Sequence, residues 1–203
     1  MKKFILSLLF ISAFSLLSRA QITVKPGGGF HYLNFNRSIS NWDRYGGIGY
    51  QFGSTAKIGG RFYLESGLFW MSNYSELSQI DSPLGGGPIR LTHQLNILRI
   101  PLLGGYSFWD TQGTSVDFRV LLGPAFNIIM QVDNSVSQSG APEKADYKSL
   151  FWGGNICLDI TYWWLFVDVG YEMGFSKVYK DQAKFGSAKA NNFYVNFGLR
   201  IRL

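Results

Sequence analysis

The chain has 203 residues, of which 46% are hydrophobic, 17% aromatic and only 16% charged, a length that fits one domain with no composition shift at which to divide it. Beyond the N-terminus no run approaches the roughly 18 apolar residues that a spanning helix needs, so any crossing of a bilayer is made with strands. The formal net charge of +6 falls to +3, with 16 basic against 13 acidic residues, once Lys2, Lys3 and Arg19 of the leader are removed, which excludes the strongly basic balance of a nucleic-acid-binding protein.

The first element is a leader, residues 1–20. Lys2 and Lys3 form a basic start, residues 4–17 an apolar stretch, and Ser18-Arg19-Ala20 places small residues where a signal peptidase reads them, so cleavage is expected before Gln21. The mature chain, residues 21–203, then reads as eight strands. The first, 21–35, carries Pro26 and Gly27-Gly28-Gly29, which suit a bend or bulge. The second (44–53) sets Ile48, Tyr50 and Phe52 against small and polar residues, and a turn over 54–60 leads to the third (61–74), where Phe62, Leu64, Leu68 and Trp70 oppose Tyr63, Glu65, Gly67 and Asn73. A turn-rich loop follows. In the fourth strand, 89–108, the apolar parity changes at Ile97-Leu98, which predicts a β-bulge there and puts His93 on the outward face. The fifth (114–130), sixth (148–162), seventh (163–175) and eighth (192–203) alternate apolar with polar residues. Cys157 is the only cysteine, so neither a disulfide framework nor a thiolate metal cluster is expected. It falls on the polar parity.

Connections after strands one, three, five and seven are long, and those after two, four and six are short. Aromatic residues gather in two sets: Phe52, Phe62, Phe108, Trp109, Tyr162, Trp163 and Trp164 near the short turns, and Trp70, Tyr74, Trp152, Phe175 and Phe193 towards the loops. Loop asymmetry, two aromatic belts and an even strand count describe an all-β fold, an eight-stranded antiparallel up-and-down transmembrane β-barrel preceded by a cleavable signal peptide. A soluble barrel would also alternate, but with charges outward. The leader, the loop pattern and the scarcity of Lys, Asp and Glu on the apolar parity favour the membrane form.

On this reading the inward acids Glu65, Asp117, Asp159, Asp168 and Glu172 face the inward bases Arg90, Arg99, Arg119, Arg200 and Arg202. Arginine suits a buried ion-pair plug because its planar fork satisfies several acceptors and stays charged. Arg200 and Arg202 of the closing strand are the expected counterions of Asp168, Glu172 and other inward acids. An eight-stranded barrel is just wide enough for side chains to fill it. The last long loop carries Lys177, Lys180, Lys184 and Lys189, a basic set that could touch lipopolysaccharide phosphates. No phosphate-binding glycine loop, metal-spaced cluster or dinucleotide fingerprint occurs, so no cofactor is expected. His31, inward on the first strand, could serve a catalytic site at the rim only with a nucleophile and an orienting acid, and neither is evident.

The run Leu98-Arg-Ile-Pro-Leu-Leu-Gly-Gly-Tyr-Ser-Phe108 resembles the "L-x-I-P-L-L" strand of the PorT-like family of outer-membrane β-barrels. Strand spacing and glycine pattern extend that resemblance over most of the mature chain. Asn196, Gly198, Ile201 and Leu203 are similar to the C-terminal signal that the barrel-assembly machinery reads, with leucine where phenylalanine is commoner. The resemblance implies the outer membrane of a diderm bacterium. Outer-membrane lipid, the barrel-assembly machinery during biogenesis and protein partners in the envelope are the expected contacts. The expected role is structural or interactive: envelope integrity, surface contact, or part of a secretion or assembly complex. A narrow solute channel is the alternative, and a lipid- or peptide-modifying enzyme a distant third.

Overall fold

The computed structural model of the protein describes residues 22–35, 42–44, 46–79, 90–109, 116–134, 143–181 and 187–203, with the backbone alone at 42–44, 76–79 and 90–91. The leader 1–20, with its expected cleavage point, lies outside the described residues, as does Lys184; of Arg90 only the backbone is described. The strands are β1 (Ile22–Phe35), β2 (Trp42–Arg44), β3 (Gly47–Gly59), β4 (Phe62–Gln79), β5 (Arg90–Ser107), β6 (Val116–Asn134), β7 (Leu150–Tyr162), β8 (Leu165–Gly174), β9 (Ala190–Leu199) and β10 (Ile201–Arg202). They form eight barrel staves, because β2 and β3 run successively along β4, and β9 and β10 successively along β1. Every neighbouring pair is antiparallel and β1 pairs with both β3 and β9, so the sheet closes on itself.

The stagger of that closure sets the width of the lumen. Crossing the ladder from Ile22 through Ile58, Leu64, Gly104, Leu122, Ile156, Tyr171 and Phe193 returns to β1 at Tyr32, ten residues along from residue 22. Such a stagger tilts eight strands by about 35–45° and leaves an interior that side chains can fill. All of these residues except Gly104 are large and apolar, and Leu64 and Leu122 are more than 60% exposed. Inside, by contrast, Lys25, Arg99, Arg119 and Asp159 are at most 1% exposed. Charge within and hydrocarbon without is the inverse of a soluble protein and the pattern of a membrane barrel.

β4 and β6 run on to Gln79 and Asn134, past their expected ends at 74 and 130, and three further differences bear on the lumen. First, β3 continues six residues past Gly53 to Gly59, so the expected turn over 54–60 shrinks to a hairpin in which Gly59 takes a φ of +130°. Phe52 therefore pairs with Trp70 within the wall instead of marking a belt. Second, β1 keeps one register with β3 from Ile22 to Leu33, with no bulge at Pro26 or the glycines. Gly27 instead makes room inside, since a Cβ there would meet the Phe166 ring at 2.7 Å. The ladder between β1 and the last stave lapses at Lys25 and Pro26, the latter with a nitrogen that has no proton to donate. Third, β5 is regular along β4, and the register shift falls between β5 and β6 at Asn96/Ile97. Two residues of β5, Asn96 and Ile97, oppose Gln131 and Ile129, which leaves Met130 of β6 as the extra residue.

Candidate functional site in the barrel lumen

The inward parity of eight staves converges on one stack of side chains, and its centre is a lysine. Lys25 of β1 donates from Nζ to Glu65 Oε1 at 3.0 Å, Asp159 Oδ2 at 2.5 Å and Asp168 Oδ1 at 3.3 Å. Its ammonium also lies 4.7 Å from the centre of the Phe166 ring that Gly27 admits. Three carboxylates from β4, β7 and β8 are thus drawn to a single cation. Arg119 of β6 adds a second, donating to Asp159 Oδ1 at 2.7 Å and to the Thr161 hydroxyl. Thr55 of the extended β3 donates to Glu65 at 2.6 Å.

Towards the short-turn end, Asp117 accepts from Arg200 Nη1 at 3.2 Å and from Ser107 at 2.5 Å, with Arg119 Nε 3.4 Å away. Higher in the barrel, Arg99 Nε meets Glu172 Oε2 at 2.9 Å, and Asn127 donates to the other oxygen at 2.5 Å. The Arg99 guanidinium lies 4.4 Å from the Tyr194 ring, whose hydroxyl exchanges hydrogen bonds with Asn155. Lys57 covers Tyr63 at 4.1 Å. Low dielectric makes each pairing strong and each missing partner costly, so the groups hold one another in place.

Several sequence expectations are corrected here. The partner of Asp168 is Lys25 and that of Glu172 is Arg99; Arg200 does pair with an inward acid, Asp117. Arg202 shares the inward parity of Arg200 but is exposed, because β10 ends at the rim where an arginine reaches water. The bases inside include two lysines, Lys25 and Lys57, alongside the arginines. Their signal was parity: Lys25 is six residues before inward His31, and a bulge assumed at the glycines broke the count. Asn196 is buried and accepts from Gln51 at 2.6 Å, whereas Ile201 and Leu203 are exposed on the outer face.

Above the ion pairs the lumen turns apolar. Leu33, Phe35, Met71, Leu95, Ile97, Ile129 and Phe151 pack inward, joined by Tyr147, Val178 and Tyr179 from the loops. Leu95 and Ile97 face inward because this end of the lumen is itself hydrophobic, so their parity did not have to be outward. His93, expected on the outer face, is fully buried inside for the same reason. Its Nε2 is 2.8 Å from the Tyr147 hydroxyl and its Nδ1 is 2.5 Å from Asn134 Oδ1.

Segments expected as open loops form the lid of this plug. A 3-10 turn at Lys144–Asp146 precedes Tyr147, which bridges to Tyr179, with backbone bonds Lys148 N to Val178 O (2.8 Å) and Lys180 N to Asp146 O (2.9 Å). Lys180 donates to Ala145 O at 2.8 Å, so this lysine fastens the lid. Lys177 and Lys189 flank the same segment. His31 lies beneath it, buried, its ring over Gly49, where a side chain would collide with it. It does not line the rim at which a catalytic group was conceivable. Within the charged layer is a void of about 10 Å³, lined by Glu65, Arg99, Asp168 and Tyr194 among others, room for roughly one water.

Neither a family model nor a curated relative matches the chain. Solved structures do. The outer membrane protein OprG from Pseudomonas aeruginosa superposes with a TM-score of 0.57 at 11% identity, covering 90% of this chain and 96% of that one. Neisserial surface protein A (NspA) gives 0.48 at 13% identity, covering 91% and 99%. The likeness to OprG shows a shared barrel fold.

Proposed function

We propose that this chain is an outer-membrane β-barrel of a diderm bacterium, exported by its cleaved leader, whose role is structural or interactive and not conductive. The observation that carries the reading is the filled lumen: an ion-pair layer centred on Lys25, then an apolar plug, then a lid of two loop segments. Among the described residues the lumen is filled, and the polar groups of the cap, the His93 ring, the Tyr147 and Tyr179 hydroxyls and Asn134, are hydrogen-bonded to one another. A rigid closed barrel leaves the outer loops and the lipid face as the surfaces that can act. Envelope proteins, or a secretion or assembly complex, are the partners that fit. Resemblance to the PorT-like family supports the outer-membrane location alone, through the Leu98–Phe108 run, which lies in β5 up to Ser107.

Lys177, Lys184 and Lys189 are the proposed contacts for lipopolysaccharide phosphates, while Lys180 is held in the lid. The terminal residues Asn196, Gly198, Ile201 and Leu203 serve as the address for barrel assembly. Chemical cross-linking in intact outer membranes, followed by identification of the captured proteins, tests the interactive role. Reproducible envelope partners are expected; a barrel that fractionates with the outer membrane yet yields none would contradict it.

A further inference from the structure

Among the described residues the lipid face of the barrel carries a groove for which the lumen gives no reason. It crosses β5 near the short-turn end, has a volume of about 470 Å³, and is lined by Phe62, Gly104, Tyr106, Phe108, Val120 and Leu122. Its floor is bare backbone. On the outer side of Gly104 an added Cβ would meet nothing nearer than Leu122 O at 3.8 Å, whereas at Gly105 the inner side is filled by the Tyr63 ring at 2.2 Å. One wall is a run of aromatic rings, with Phe62 4.9 Å from Tyr106 and Tyr106 5.1 Å from Phe108 between centres.

At the rim of that wall stands a cation. The Arg61 guanidinium lies 5.2 Å from the Tyr106 ring, and the Arg61 carbonyl accepts from Ser107 N at 2.9 Å, which fixes the arginine beside the groove. Arg61 is exposed and has no carboxylate partner among the described residues. A cation at the water boundary above an aromatic wall, with an apolar trough running away from it into the hydrocarbon, matches one molecule end to end. That molecule has an anionic headgroup and an acyl chain.

We infer that Arg61 and the groove over Gly104 form a binding site for one anionic glycerophospholipid of the leaflet at the short-turn end, its phosphate on Arg61 and one acyl chain in the groove. The site rests on the barrel spanning a membrane and is independent of any envelope partner. Short turns belong to the periplasmic side of such barrels, where phospholipid is the lipid available. The glycine is the specificity device, since any larger residue at 104 would occupy the place of the chain.

The test reconstitutes the full barrel in phosphatidylethanolamine vesicles containing a phosphatidylglycerol with a photoactivatable acyl chain, and maps the label by mass spectrometry. Label is expected to concentrate on the peptides bearing Phe62, Tyr106 and Leu122. Arg61→Gln should reduce it about fivefold, the change that one arginine beside an anionic surface accounts for. Gly104→Leu should reduce it at least as much while leaving label elsewhere on the barrel unchanged. Arg61 is exposed in a turn, so its variant remains decisive if the Gly104 variant fails to fold. Even labelling around the barrel, equal labelling of wild type and both variants, or capture of a second copy at this face would overturn the site. Absence of label from every outer face would contradict the membrane barrel itself.

Discussion

Lys25→Ala is expected to lower the stability of the barrel by about 3–5 kcal/mol, the cost of breaking a buried charge cluster by removing one partner. The reason is the count of acids around it. Glu65, Asp159 and Asp168 all contact the one ammonium, and without it Arg119 reaches Asp159 alone. Two buried carboxylates would then lack a cation and repel the third. Lys25→Met, which keeps the length and loses the charge, should be equally damaging, which separates electrostatics from packing. Arg200→Gln is the control at the edge of the stack. Asp117 keeps Ser107 and Arg119 there, so a loss of roughly 1.5 kcal/mol is expected. Urea titration of refolded protein in lipid vesicles, followed by tryptophan fluorescence, measures both. Equal losses in the two variants would show that Lys25 is not the centre of the plug.

Removing Ile201 to Leu203 should abolish insertion while leaving export to the periplasm intact. Those residues pair Arg202 with Thr23 and Ile201 with Val24, and Leu203 N donates to Ile22 O at 2.9 Å. Their loss leaves one edge of β1 open at the end where the chain begins. In hydrocarbon each unsatisfied backbone group costs several kcal/mol, and an unpaired edge also invites wrong pairing. If these residues are also the address for the assembly machinery, recognition and closure fail together. Membrane fractionation and heat-modifiable gel mobility report the outcome. Insertion of the truncated chain at the level of the full chain would contradict both roles.

The contrast between these two regions shows what a sequence can carry. Alternation puts Asp117, Arg119, Asp159 and Asp168 on one face, and the leader, the loop pattern and the scarcity of charge on the other face turn the charged face inward. Alternation loses information wherever an irregularity must be assumed. Glycines next to Pro26 suggested a bulge, and the assumed bulge hid Lys25, which meets three carboxylates. A turn placed six residues early hid Thr55 and Lys57.

At the loop end the difficulty was of another kind. Alternation tells one face from the other, but an apolar set marks the outside only where the inside is polar, and here the lumen changes character along its axis. His93, Leu95 and Ile97 were therefore turned the wrong way, and the change of parity was read as a bulge in β5 when the extra residue is Met130 of β6. Which acid meets which base was never legible, because pairs such as Arg99 with Glu172, 73 residues apart, depend on stagger and not on spacing. The lid was equally hidden, since Tyr147 and Tyr179 lie in polar segments whose docking depends on an apolar mouth to receive them.

The sealed lumen is tested most directly by single-channel recording of the full barrel in a planar bilayer. A barrel filled by the Lys25 cluster and capped by the Leu33–Ile97–Tyr179 plug should give no resolvable conductance steps at any applied voltage within the stability of the bilayer. Reproducible unit steps from correctly folded protein, abolished by removing the protein, would contradict a closed barrel and make transport its function.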